Sequence, residues 1–190
     1  VASINSPVIS QWSNEWHGLE AVAEPFNVEF GLMIMFLAIC LGAMYLINNI
    51  ADSTLAYRLR RCLMFCFCCF LTMFLIVITQ LMTMDGFAVN ADGNIYRETH
   101  KYMHNLLQMP IVLIIFLTGV LLLLTSITIS LIKSSFRRGI WFGGLGSILS
   151  VMAVFMIAGY NNTSYYPSTA DMQSSLTIAN SCSSEFTLRV

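Results

Sequence analysis

Long apolar runs alternate with short polar ones along this chain. The longest, Asn105 to Ile132 (NLLQMPIVLIIFLTGVLLLLTSITISLI), carries no charged side chain over 28 residues. At about 1.5 Å of rise per residue, roughly 20 such residues cross a bilayer, so this run spans one with turns to spare. Buried strands and core helices of soluble domains are much shorter. Pro110 falls, on this reading, in the first turn, where its missing N–H costs little. Phe30–Ala51, Cys62–Met84 and Gly139–Tyr160 are also free of charge. The pattern predicts an all-α polytopic membrane protein with four transmembrane helices, at about 30–51, 62–84, 105–132 and 139–160, arranged as two hairpins.

The polar stretches fill in the rest. Residues 1–29 hold Glu15, Glu20, Glu24 and Glu29 and no Lys or Arg. Ile9, Trp12, Trp16, Leu19 and Ala23 recur at helical spacing, which predicts a short interfacial helix with tryptophans at headgroup depth. Pro25 ends it and turns the chain into the membrane. Residues 85–104 form a polar loop in which two Asp-Gly pairs mark turns. Residues 161–190, rich in Ser, Thr, Asn and Tyr, are expected to form an ordered polar loop or cap.

Composition narrows the class. Charged residues make up 10% of the chain, against about 25% in an ordinary soluble domain, and the mean hydropathy is +0.73. A net charge of −1 argues against a nucleic-acid partner, which needs a basic face. Charge also predicts orientation. The 52–61 and 133–138 connections hold six of the nine Lys and Arg residues. The positive-inside rule puts those turns in the cytoplasm and the longer polar segments outside. No basic region precedes a short apolar run at the start, so no signal peptide is read. The abrupt ending at Thr187-Leu188-Arg189-Val190 reads as that of a fragment or processed piece.

Few residues offer chemistry. His100 and His104, four apart, would share one helical face and are the only candidates for binding a metal or haem; interfacial histidines are the plainer reading. No span contains a histidine, so a haem held by two histidines within the membrane cannot be built from this chain alone. Cys62, Cys66 and Cys69 form a helical stripe with Cys68 beside it, but lack the loop and glycines that wrap an iron–sulfur cluster, and read as packing residues. Cys40 and Cys182 add no legible disulfide framework. Glu29 and Gln80 are the polar groups at depth. Glu29 is either a proton-path residue or a helix cap favoured by the dipole. Asn161-Asn162-Thr163 is formally a glycosylation acceptor. Gly31, Gly42, Gly119 and the Gly143, Gly144, Gly146 patch are expected to set close helix packing. No phosphate loop, serine triad or metal-binding cysteine pair is present, so no catalytic residue and no metal site is assigned.

Several segments together resemble one family, the second subunit of cytochrome bd-type quinol oxidases. They are SPVISQWSNEWHGLEAVAEPFN, LGAMYLINNI, MDGFAV, KYMHNLLQMPIVLIIFLTGVLLLL and, most specifically, AGYNNTSYYPSTADMQSSLTIANSCSSEFTLRV. A polar loop such as the last has little reason to match through hydropathy alone. The family is about twice as long, opening with a Gly-Phe-Asp helix and acidic proton-delivery residues absent here, and continuing into one more span. The resemblance therefore implies the C-terminal half of the subunit, truncated before that span. It implies a bacterial plasma-membrane complex that oxidises quinol and reduces dioxygen to water. Haem b, haem d and the quinol site are expected in the partner, subunit I. No cofactor is expected on this chain, which would support assembly, haem-subunit stability and proton or oxygen access. Two other classes stay open on the residues: half of a secondary transporter, which needs broken helices and polar groups at the midplane, and a membrane scaffold.

Overall fold

The computed structural model describes residues 24–90, 93–133, 135–164, 173 and 175. The elements are α1 (Pro25–Asn49), α2 (Ser53–Thr83), β1 (Gly86–Val89), β2 (Ile95–Glu98), α3 (Lys101–Gln108), α4 (Pro110–Ile132) and α5 (Gly139–Gly159). Four helices, α1, α2, α4 and α5, are long and apolar enough to cross a membrane. The protein is an all-α polytopic membrane fold with one small antiparallel hairpin. The expected interfacial helix around Trp12 and Trp16 lies outside the described residues.

Three boundaries differ from the hydropathy pattern, each for a local reason. α1 starts at Pro25 rather than Phe30, because a proline at the first helical position has its φ already set and loses no hydrogen bond. α2 starts at Ser53 rather than Cys62. The Asp52 carboxylate caps it, accepting from the amides of Thr54 at 2.7 Å and Leu55 at 3.4 Å. Arg58, Arg60 and Arg61 therefore sit in the first turns of a helix, and the turn before it shrinks to Ile50–Asp52. The 105–132 run is not one helix. Pro110 does sit in a first turn, but that of α4; within a helix running from Asn105 its ring would meet the carbonyl of Leu106. Met109, forced from the helical region by the proline, takes φ −112 and ψ 79 and divides α3 from α4.

α1 packs along α2 and α4 along α5, and the two hairpins meet chiefly through α1 with α5 and α2 with α4. The seam between the hairpins is filled by Cys40, Met44, Ile47, Leu63, Phe70 and Ile127. A second cluster, Val112, Phe116, Ala153 and Ile157, lies toward α3. α4 and α5 approach backbone to backbone. A Cβ on Gly119 would lie 2.7 Å from the Ser150 amide, and one on Gly146 2.6 Å from the Leu123 amide. A Cβ on Gly143 would meet Met44 Cε at 2.7 Å. Around Gly31, Gly42 and Gly144 this chain leaves open space. Arg60 donates to the Ser130 carbonyl at 3.2 Å and Arg137 to that of Ile50 at 3.2 Å, so both basic turns lie at one end of the bundle.

Candidate functional site

The polar side chains gather at the opposite end. β1 and β2 pair antiparallel from Gly86 with Glu98 to Val89 with Ile95, and Gly93 in the connection takes φ +81, open to glycine at no steric cost. The far edge of β1 is closed by the chain leaving α5. The Val89 amide donates to Asn162 O at 2.8 Å, the Ser164 amide donates to Phe87 O at 2.9 Å, and Ala88 bridges to Thr163. Asn161 and Asn162 make that turn with φ of +60 and +54, a region asparagine tolerates. On the edge of β2, the Gln173 amide both donates to and accepts from the Ile95 backbone.

Asn105 joins these pieces. It is wholly buried, and its amide nitrogen donates to Ile157 O at 2.8 Å and Thr163 Oγ1 at 2.7 Å. Its oxygen accepts from Asn161 Nδ2 at 3.1 Å, and the same Asn161 nitrogen donates to Gln108 Oε1 at 2.6 Å. One amide thus ties α3, α5 and the chain beyond α5, with every polar atom used. The acceptor triplet 161–163 takes part in this network: the Asn161 amide is engaged and Thr163 is buried.

Glu98 organises the charges. Its carboxylate lies 3.0 Å from Lys101 Nζ and 2.9 Å from His104 Nδ1. The His104 hydrogen bond, opposed by partial burial and reinforced by Lys101, holds the Glu98 carboxyl below the usual glutamate range. Lys101 is only 6% exposed, a cation that needs this partner. Burial raises the Tyr102 phenol above its ordinary value. Arg97 pairs with Asp85 at 3.0 Å.

The two candidate histidines do not share a helical face. His100 is the residue before α3, at φ +53, with Nδ1 3.3 Å from Met82 O. His104 lies inside α3 and turns to Glu98. Holding Nδ1 on an oxygen is how a ligating histidine is oriented, but the rings belong to different partners. Among the described residues no three His, Cys, Asp or Glu side chains are placed to hold a metal ion. Cys62 and Cys66 lie with sulfurs 4.0 Å apart, and Cys40 and Cys66 are buried in the seam between the hairpins.

Glu29 does not cap α1. It sits one turn inside the helix and accepts from Gln80 Nε2 at 2.7 Å, so the structure joins the two polar groups that the sequence marks at depth. Below this pair, an apolar cleft of about 180 Å³ lies between the hairpins, lined by Phe30, Ile34, Phe74, Phe116, Val151 and Phe155 among others. Ser147 and Ser150 also line it, but their hydroxyls donate to the carbonyls of Gly144 and Gly146, so the wall is effectively hydrocarbon.

Asn105, Lys101 and Glu98 were not marked by the sequence pattern. The signal for them was the spacing of Lys101 and Asn105, one turn apart before a proline that stops the helix.

No curated protein matches the chain. The family model described as cytochrome bd terminal oxidase subunit II matches residues 2–190. With four membrane-crossing helices and a match over nearly its whole length, the chain belongs to the cytochrome bd terminal oxidase subunit II family.

Proposed function

We propose that the chain is the non-haem membrane subunit of a bd-type oxidase that oxidises quinol and reduces dioxygen to water. The family match over residues 2–190 carries this reading. Support comes from the residues too: all three histidines, His17, His100 and His104, fall outside the four spans. Haem b and haem d then belong to a haem-bearing partner, subunit I, and the work of this chain is assembly, stability of that partner and access. The complex sits in the bacterial plasma membrane with the two basic turns in the cytoplasm, as the positive-inside rule requires.

Glu29 with Gln80 is the candidate on this chain for proton access, since a carboxylate within a span faces a bundle interior or a water path. The hydrocarbon-walled cleft beneath it suits an apolar gas. Helix packing offers a further handle: Gly42 and Gly144 are open within this chain, which leaves them for a neighbouring helix.

The test is to purify the chain with its natural partner and record a reduced-minus-oxidised spectrum. Haem b and haem d bands in the complex, absent from this chain alone, are expected. Haem bands from the isolated chain, or solute uptake into vesicles containing it alone, would overturn the proposal. Leucine at Gly42 or Gly144 should lower the yield of the complex more than alanine at the exposed Ile114; equal yields would remove those glycines from the interface. Glu29→Gln should slow turnover without lowering that yield if protons pass there.

A further inference from the structure

We propose that the basic end of the bundle, at the seam between the two hairpins, docks the phosphate headgroup of an anionic phospholipid. Six cations meet there: Arg58, Arg60 and Arg61 on the first turns of α2, and Lys133, Arg137 and Arg138 between α4 and α5. The ion pairs of Asp85 and Glu98 lie at the other end. The nearest carboxylate in sequence, Asp52, spends its oxygen on the amides that open α2. Arg58, Arg61, Lys133 and Arg138 therefore have no counter-charge among the described residues.

Two of the cations are fixed and the others are free to reach. Arg60 and Arg137 are staked to carbonyls across the seam, Arg60 to α4 and Arg137 to the end of α1. This brings the two turns together. The exposed side chains of Arg58, Arg61, Lys133 and Arg138 have no partner among the described residues.

A second observation sets the depth. Tyr57, 63% exposed, precedes Arg58, and Trp141, 72% exposed, sits one helical turn beyond Arg138. Exposed Tyr and Trp at span ends sit at headgroup level. Cations at that level meet lipid phosphates, whereas a soluble anion would find them flanked by membrane. The occupant is a lipid for that reason. The positive-inside rule explains why cations are on this side of the membrane; it does not require them to converge on one seam.

Each cation near an anionic surface is worth about 1 kcal/mol, or roughly fivefold in affinity, and the contribution is screened by salt. Losing three should weaken retention on the order of a hundredfold. The experiment takes the intact oxidase complex in detergent with equal amounts of phosphatidylglycerol and phosphatidylcholine, and counts retained lipid by native mass spectrometry. Wild type should retain phosphatidylglycerol over phosphatidylcholine, and added salt should strip the former first. The variant Arg58→Gln/Arg61→Gln/Lys133→Gln should lose that preference, and Lys133→Arg should keep it. Equal retention of both lipids by wild type, or an unchanged preference in the triple variant, would overturn the proposal. Displacement by inorganic phosphate at the concentration of the lipid would make this a free-anion site and overturn it also. If the triple variant fails to assemble, the wild-type salt series decides alone: no selective loss of phosphatidylglycerol sinks the idea.

Discussion

The two ends of this bundle treat charge in opposite ways. At the end built by β1, β2 and α3, acids and cations are matched: Asp85 with Arg97, and Glu98 with both Lys101 and His104. A buried amide, Asn105, then knits the surrounding backbone. At the other end, six cations cluster with one carboxylate, itself used as a helix cap. Charge at the first end holds the fold; at the second, Arg58, Arg61, Lys133 and Arg138 are left for whatever surrounds the protein. Membrane ends can differ in this way because unpaired cations are cheap where water and lipid phosphates supply the counter-charge.

If that contrast is right, Asn105→Leu should do the most damage. It removes the side-chain partner of the Ile157 carbonyl, the donor to the Thr163 hydroxyl and one of the two acceptors of Asn161, and at about 1–3 kcal/mol per unsatisfied buried group the loss should be about 3 kcal/mol in total. A drop in thermal midpoint, with amide exchange rising first across 86–98, checks it; unchanged exchange would mean the network is ornamental. Next comes Glu98→Gln, which strips a buried lysine of its partner and should cost about 2 kcal/mol at neutral pH. The pH dependence has a definite sign. Because the native Glu98 pKa is lowered, its contribution is present above the ordinary glutamate pKa and is lost as pH falls through the native value. Wild type should therefore lose stability on acidification over that window, and Glu98→Gln should flatten the loss.

The basic end should respond less. Arg60→Gln removes the hydrogen bond to the Ser130 carbonyl, which should cost about 1 kcal/mol, read as a small shift in thermal midpoint. Arg58→Gln should change stability by less than about 0.5 kcal/mol. A larger effect of Arg58→Gln than of Glu98→Gln would break the comparison outright.

Hydropathy made the four spans legible, because nothing but a membrane helix needs so long a charge-free run. It misjudged where they begin. Arg58, Arg60 and Arg61 pulled the apparent start of α2 to Cys62, although long basic side chains are comfortable in a helix whose end reaches the headgroups. The break at Met109 was hidden because methionine, proline and their neighbours are all apolar; only the restriction that proline places on the preceding residue betrays it. The Asp-Gly at 85–86 starts a strand, while the Gly93 position does turn the chain. Among the site residues, Glu29 and Gln80 were visible as lone polar groups in apolar runs, though not that they bond each other. Asn105 was not visible, since its partners lie some 50 residues away (52 to Ile157, 58 to Thr163) and carry no periodic signal.

The strand-like contact between Ala88 and Thr163 also constrains how the protein is made. Residues 86–98 emerge early, as a two-stranded ribbon that is marginally stable in water by itself. The segment 162–164 that closes the β1 edge arrives only after both α4 and α5 have threaded the bilayer and returned to the same side. Closure of this edge thus depends on correct insertion: a chain whose second hairpin stalls leaves the backbone of β1 without the bonds from Asn162 and Ser164.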